Sequence, residues 1–536
     1  MTILRTALLA AALAAFASVA TSRVVANGAP GRHGSPGNNA SCESLAALAL
    51  PNAHITSAQT VAGGAFQPPA GPRGGAGAGG GRGAQAYAKL PSFCRVAATL
   101  TPSSDSDIKI EVWLPASAEG VGGWNGKFQA VGNGGWAGVI SYPALAQAVA
   151  AGYAGASTDT GHVGNTAAFA IGHPEKVIDM GYRAVHEMTV NAKTIVDAYY
   201  GAGPKLSFWN GCSLGGRQGI TEAQRYPADF DAIVAGAPAV NWMKLHGARM
   251  AINQKAHATE ASYITPDKYP AIHDAALSAC DALDGVKDGV IEDPTRCHFD
   301  PKVLECTGAD GPACLTPAQV ETARALYAPL KSQKSGATIF PALLLPGSEP
   351  NWATLAGPEP IGTALDAFKY VVFKDPNWDV RRFNIETDVD AAIKMDAGVL
   401  NSADTNLKPF FKRGGKLLMY HGWADPQVPA LNSVDYFDGV VKTVGRASVG
   451  KSIELYMVPG MAHCAGGPGT DTFNKMAALE QWIEHGAAPS QIIASHLTNG
   501  TVARTRPLCP YGRVAHYKGA GSTDDAASFE CAAPPR

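Results

Sequence analysis

The chain has 536 residues, enough for about three to four domains at roughly 150 residues each, and Lys+Arg 43 against Asp+Glu 45 leave a formal charge of −2. Only 16% of residues are charged, below the roughly 25% usual in globular chains, which excludes a surface built to neutralise phosphates; no nucleic-acid partner is expected. Ten cysteines, an even count behind an apolar N-terminus, fit an exported protein folded in an oxidising compartment.

Residues 1–20 read as a secretory signal peptide, with Arg5 as the basic region, an apolar run over 7–17, and Ser18-Val19-Ala20 as a small-residue cleavage site. A membrane anchor is the alternative, but the run is shorter than the roughly 20 apolar residues that cross a bilayer. The mature protein is therefore expected to be soluble, secreted or periplasmic, without membrane contact. Residues 21–90 form a Gly/Pro-rich leader, in which the tract 71–83 has almost nothing to bury; 63–86 is expected to be a flexible insertion.

Strand patterns follow at 95–100 and 108–114, where apolar and β-branched residues alternate. From 124 the chain alternates strand and helix: strand 127–131, helix 143–151, long helix 179–200 and strand 206–209. Such alternation predicts a mostly parallel sheet covered by helices on both faces. The rhythm is lost after Ala235, and 240–405 holds four cysteines, several prolines and short helical patterns. It resumes with strand 416–420, strand 453–458, helix 472–484 and strand 491–495. One α/β core, 91–239 and 406–536, interrupted by one insertion explains this better than domains in series.

Between strand 206–209 and the helix that follows lies Asn210-Gly211-Cys212-Ser213-Leu214-Gly215-Gly216-Arg217, a G-x-S-x-G sequence. On a tight strand-to-helix turn the serine becomes an exposed nucleophile, and the helix N-terminus faces developing negative charge. Such a serine needs a histidine base and a carboxylate, which follow in the order Ser, Asp, His. Asp425 stands after strand 416–420 in Tyr420-His421-Gly422-Trp423-Ala424-Asp425, and His463 stands after strand 453–458 in Pro459-Gly460-Met461-Ala462-His463-Cys464. Asp435 and Asp438 compete as acids, and His421 and His485 as bases; His421 could equally line the pocket or pack against the strand end. Cys212 precedes the serine and Cys464 follows the histidine, so a bridge between them would hold nucleophile and base together. For the oxyanion the expected donors are the backbone N–H of Leu214 and one from the Gly-rich turn 132–138, Gly135 first and Gly134 next.

With these motifs assembled, the chain from about Pro91 onward resembles the tannase/feruloyl esterase family, secreted serine esterases that include mono(2-hydroxyethyl) terephthalate hydrolase. The resemblance rests on Gly-Cys-Ser-x-Gly-Gly at 211–216, Gly-Trp-x-Asp at 422–425 and His-Cys at 463–464. It implies a Ser213, Asp425, His463 triad tied by a Cys212–Cys464 bridge, and an α/β-hydrolase fold with a large lid domain inserted at 240–405. It also implies bridges Cys42–Cys94, Cys280–Cys297, Cys306–Cys314 and Cys509–Cys531.

Within 280–291, Asp281, Asp284 and Asp288 recur at i, i+3 and i+7 among two glycines, a supply of oxygens that suits calcium; an acidic surface turn is the alternative. The resemblance implies Ca2+ held by those three side chains and by the backbone oxygens of Val286 and Val290, with a structural role. No organic cofactor and no zinc site are expected. Phe368, Tyr370, Phe373 and Trp378 form an aromatic stretch in the insertion, read either as pocket wall or as core.

The function expected is hydrolysis of esters of aromatic acids, feruloyl, chlorogenate or galloyl, through an acyl-enzyme. A terephthalate half-ester hydrolase would share every one of these features, and a catalytically silent ligand-binding protein would need none of the three. The small aromatic ester is the expected partner; oligomeric state is left open.

Overall fold

β-branched and small apolar runs separated by glycine-containing turns build one central sheet in a computed structural model that describes residues 41–69, 87–116 and 123–534. The expected signal peptide and tract 70–86 lie outside the described residues. The sheet comprises β1 (Ala53–Val61), β2 (Phe93–Leu100), β3 (Ile108–Pro115), β4 (Lys127–Val131), β5 (Ala154–Thr158), β6 (Leu206–Cys212), β7 (Ala232–Gly236), then, after a small hairpin of β8 (Leu330–Lys331) and β9 (Thr338–Phe340), β10 (Lys416–Gly422) and β11 (Ile453–Val458). Its spatial order is β1-β2-β3-β5-β4-β6-β7-β10-β11. From β5 through β4, β6, β7 and β10 to β11 the pairing is parallel; β1, β2, β3 and β5 pair antiparallel.

Parallel strands are covered on both faces, so they read as continuous apolar runs. Every residue of β5, β7 and β11 is buried. On one face Trp209, Ile233, Met419 and Leu455 pack under α2 (Ala184–Tyr200), α3 (Leu214–Arg225) and α5 (Ala430–Val444). On the other face Phe208, Val234, Leu418 and Tyr456 pack with Leu479 and Trp482 of α6 (Lys475–His485), and α1 (Tyr142–Ala150) continues that side. Adjacent residues of one strand thus serve opposite cores, as the two-residue period of a strand requires.

Between the end of β7 and the start of β10 run residues 237–415, mostly short helices around α4 (Trp242–Ala256). Their own core includes Met243, Ile252, Trp352 and Phe368. The aromatic stretch belongs to it: Phe368 is fully buried and Trp378 stacks on both Phe368 and Phe373.

Four expectations need correction. The sheet reaches back to Ala53, inside the segment read as leader, because β1 pairs along its length with β2 and Cys42 is bridged to Cys94. Of the insertion expected at 63–86, residues 63–69 are placed, with Phe66 buried against Tyr87, Phe93 and Trp113; one aromatic ring anchors a segment otherwise poor in apolar residues. The strand expected at 491–495 exists as β12 (Ile492–Thr498) but stands outside the central sheet, paired antiparallel with β13 (Thr501–Leu508) across a tight turn. Beyond it β14 (Val514–Tyr517) and β15 (Phe529–Ala532) form another pair, and Cys531 of β15 is bridged to Cys509, which directly follows β13. The helix expected over 179–200 opens with a π turn, Asp179–Arg183, before α2.

All five expected disulfides are formed. No helix among the described residues is long and apolar enough to cross a membrane.

Candidate active site

Ser213 sits between β6 and α3 with φ 62° and ψ −122°, a left-handed conformation costly for a residue with a Cβ. It is held there by its backbone N–H, which donates to Gly236 O at 2.9 Å, and by the helix that starts immediately after it. Gly215 is required by proximity: a Cβ on it would lie 3.0 Å from Gly132 Cα, and its N–H donates to Asn133 O at 2.8 Å. The missing side chain lets the 132–138 turn lie against the helix N-terminus.

That turn is fixed further by Asn133. Its backbone N–H donates to Gln218 Oε1 at 3.0 Å, Gln218 Nε2 donates back to Asn133 Oδ1 at 3.0 Å, and Asn133 Nδ2 donates to Val139 O and Thr158 O. Both residues are buried. Among the described residues no hydrogen bond occupies the backbone N–H of Leu214, Gly134 or Gly135. Gly135 has φ 56°, and a Cβ on it would meet Thr363 of the insertion at 3.5 Å.

Asp425 follows β10 and is fully buried in its side chain. Its Oδ2 accepts the His463 Nδ1–H at 2.7 Å, and its Oδ1 accepts the backbone N–H groups of Gln427 at 2.7 Å and Val428 at 3.0 Å. Burial works against its ionisation, but the adjacent His463 and His421 outweigh it and hold the carboxyl well below its ordinary range. With Nδ1 committed to Asp425, the neutral His463 ring presents an unprotonated Nε2, the tautomer a general base needs. Close approach of the two loops depends on Gly422, since a Cβ there would be 2.6 Å from the Ala462 carbonyl.

His421 is not a competing base. It is completely buried, its Nε2 lies 3.1 Å from Asp425 Oδ2 and 2.9 Å from Val428 O, and its Nδ1 lies 2.7 Å from the Ser433 hydroxyl. Two acceptors at Nε2 place the proton there, so His421 donates to the carboxylate that holds His463. Asp435 and Asp438 lie within α5 and His485 ends α6, apart from this arrangement.

Cys212 and Cys464 are bridged with their Cα atoms 6.1 Å apart, which brings the segments bearing Ser213 and His463 together across a separation of 252 residues. Ser213 Oγ and His463 are not hydrogen-bonded to one another among the described residues; such contacts often tighten only with substrate.

Sequence reasoning gave no sign of Arg249. It is 5% exposed, its Nε and one terminal nitrogen donate to Gln427 O at 2.8 and 2.6 Å, and the other terminal nitrogen donates to Thr363 Oγ1 at 3.1 Å. Gln427 in turn donates to Asp425, and Trp136 Nε1 donates to Thr363 O at 3.0 Å. An arginine of the insertion therefore links the loop of the acid to the loop of the expected oxyanion donors. Nothing in the local sequence around Arg249 could have signalled contacts with residues this distant.

The acidic loop 281–290 is closed by its own carboxylates. Asp281 accepts the N–H groups of Asp288 at 3.2 Å and Gly289 at 3.1 Å, Asp284 accepts that of Val286 at 3.0 Å, and Asp288 accepts that of Val290 at 3.2 Å. Asp284, Asp288 and Val290 line one small cavity with Glu292, Arg504 and Arg506. Burial, then the charge of Asp288, pushes the Asp284 carboxyl up to about 6, and burial pushes Glu292 up to about 8. Arg504 and Arg506 both pair with Asp288. Oxygen donors of this kind are the type a hard divalent cation takes, and in this structure Arg504 and Arg506 share the cavity with them.

A family model described as tannase and feruloyl esterase matches residues 94–532. An uncharacterised esterase of Xanthomonas campestris pv. campestris is 37% identical, with 93% of this chain and 92% of that protein aligned. A probable feruloyl esterase B-2 of Aspergillus terreus is 33% identical over 92% of this chain and 95% of its own. The crystal structure of feruloyl esterase B from Aspergillus oryzae superposes with a TM-score of 0.82 at 32% identity, covering 92% of this chain and 99% of that one. The chain belongs to the tannase and feruloyl esterase family and is a carboxylic ester hydrolase on the α/β-hydrolase fold.

Proposed function

We propose that this esterase hydrolyses esters of aromatic acids, feruloyl or galloyl in type, by a Ser213, His463, Asp425 acyl-enzyme mechanism. The observation that carries the proposal is His463: its Nδ1 is held by a buried carboxylate while its neighbour Cys464 is bonded to the neighbour of Ser213. Ser213 Oγ attacks the ester carbonyl as His463 Nε2 takes its proton. Asp425 holds the imidazolium that forms, and the N–H groups of Leu214 and Gly135, with Gly134 beside them, receive the oxyanion. The proton on Nε2 then passes to the leaving alcohol, and water repeats the sequence on the acyl-enzyme.

The relatives named feruloyl esterase support the hydroxycinnamate class over a terephthalate half-ester, and membership of an esterase family leaves the silent binding protein without support. The insertion serves as a lid over the acyl site, the 281–290 loop holds a structural Ca2+, and the five disulfides support export to an oxidising compartment. The test is turnover of p-nitrophenyl acetate, methyl ferulate, methyl gallate and a terephthalate half-ester by wild type and Ser213→Ala. Loss of all turnover in the variant is expected, with ferulate or gallate the best substrate of the wild type. Unchanged turnover in Ser213→Ala would remove the proposed nucleophile.

A further inference from the structure

Toward the C-terminal end of α3, Glu222 is 1% exposed and neither of its carboxylate oxygens has a hydrogen-bond partner. Two other side chains face it. His186 comes from α2, Asp229 from the turn after α3, and one ligand atom of each of the three lies within 4.8 Å of the others. His186 Nδ1 is 2.6 Å from Asp229 Oδ2. We propose that His186, Glu222 and Asp229 form a binding site for a divalent first-row transition cation, with Zn2+ as its probe, and that this cation clamps α2 to α3.

The donor set is one imidazole nitrogen and two carboxylate oxygens, which suits Zn2+ with a water in the fourth position. Two carboxylates balance the charge of one such ion. Water and metal have a route in, because the His186 side chain is 28% exposed while the two acids are covered. The imidazole is fixed in plane by stacking on Tyr226, with centroids 3.8 Å apart and planes 7° from parallel. Lys193 donates to the backbone carbonyl of Asp229 and leaves its carboxylate to other partners.

Without a cation, burial and then the charge of Asp229 drive the Glu222 carboxyl well above its ordinary range. The 281–290 loop offers only oxygens, so the softer ion separates the two sites.

The test is isothermal titration of the chelator-stripped, full-length protein with Zn2+, run beside thermal unfolding with and without the ion, for wild type, His186→Ala and Glu222→Gln. Wild type should bind one Zn2+ per chain that both variants lose, together with its rise in Tm. Asp288→Asn, altered only in the acidic loop, should keep the zinc. Glu222→Gln removes the charge at nearly constant shape, so loss of zinc by this variant while it still folds is assigned to the missing ligand and not to packing. Absence of zinc binding by wild type, or equal binding by both variants as adventitious surface capture, would overturn the site.

Discussion

Asn133 and Gln218 exchange two hydrogen bonds of 3.0 Å, one from a backbone N–H and one from a side-chain amide, across the gap between the 132–138 turn and α3. The pair sets where Gly134 and Gly135 stand relative to the helix that begins at Leu214. Gln218→Ala should therefore lower kcat about 10- to 100-fold, less than the 10²–10³ typical of deleting an oxyanion donor outright. Steady-state kinetics on methyl ferulate, with circular dichroism to confirm folding, checks this. An unchanged kcat would mean that the turn is held well enough without the pair.

His421 contributes through Asp425. In His421→Ala the buried Asp425 loses one donor and Ser433 loses its acceptor, an unsatisfied arrangement costing about 1–3 kcal/mol. Both a lower midpoint in urea and a fall in kcat of roughly tenfold are expected, whereas Ser433→Ala should show a smaller change in each. A variant that lost stability but kept kcat would confine His421 to packing.

The Cys212–Cys464 bridge spans 252 residues, for which the chain-entropy account gives about 5 kcal/mol of restriction on the unfolded state. The double variant Cys212→Ala, Cys464→Ala should melt at lower temperature, and its kcat should fall even at temperatures where it is fully folded. Comparing activity per folded molecule with the wild type separates the two effects. Equal activity would reduce the bridge to a stabiliser.

Glu454, buried in β11, has its carboxyl pushed up to about 7 by burial, against 4.5 for the free side chain. Between those values the folded chain binds more protons than the unfolded one, so this group makes stability fall as pH rises from about 4.5 to about 7 and contributes no further slope above. Glu454→Gln should flatten that part of the profile and raise Tm more at pH 8 than at pH 5. An identical gain at both pH values would assign the effect to something other than ionisation.

Removal of the proposed Ca2+ should loosen the 281–290 loop, whose crowded acids would then be countered only by Arg504 and Arg506. Chelation is expected to lower Tm in wild type, reversibly with added Ca2+, and to have no effect on Asp284→Asn. A wild-type Tm indifferent to chelator would dismiss the ion.

The parts that could be read in the sequence are local: a strand, a glycine-flanked serine and a helix start within a few residues, and Asp425 and His463 each follow the last residue of a strand by a short loop. Their chemistry is announced by residue types at short spacing. The Asn133–Gln218 pair, the service of His421 to Asp425 and the reach of Arg249 to Gln427 were not legible, because each joins side chains from elements far apart in sequence whose types are ordinary where they stand. The same reason misplaced β12. Its alternation marks a strand, but only its pairing with β13 decides that it leaves the central sheet. Phe66 likewise escaped notice, a single ring in a polar, glycine-rich context whose partners come from β2 and β3.

Because Cys212 and Cys464 are joined, everything from the first to the second is a closed ring, and residues 237–415 lie wholly inside it. A single proteolytic cut anywhere in that insertion opens the ring without releasing a fragment: the serine-bearing and histidine-bearing halves stay covalently paired until a reductant reaches them. Two kinds of bond, a peptide bond and a disulfide, must therefore break before the two ends of the site separate.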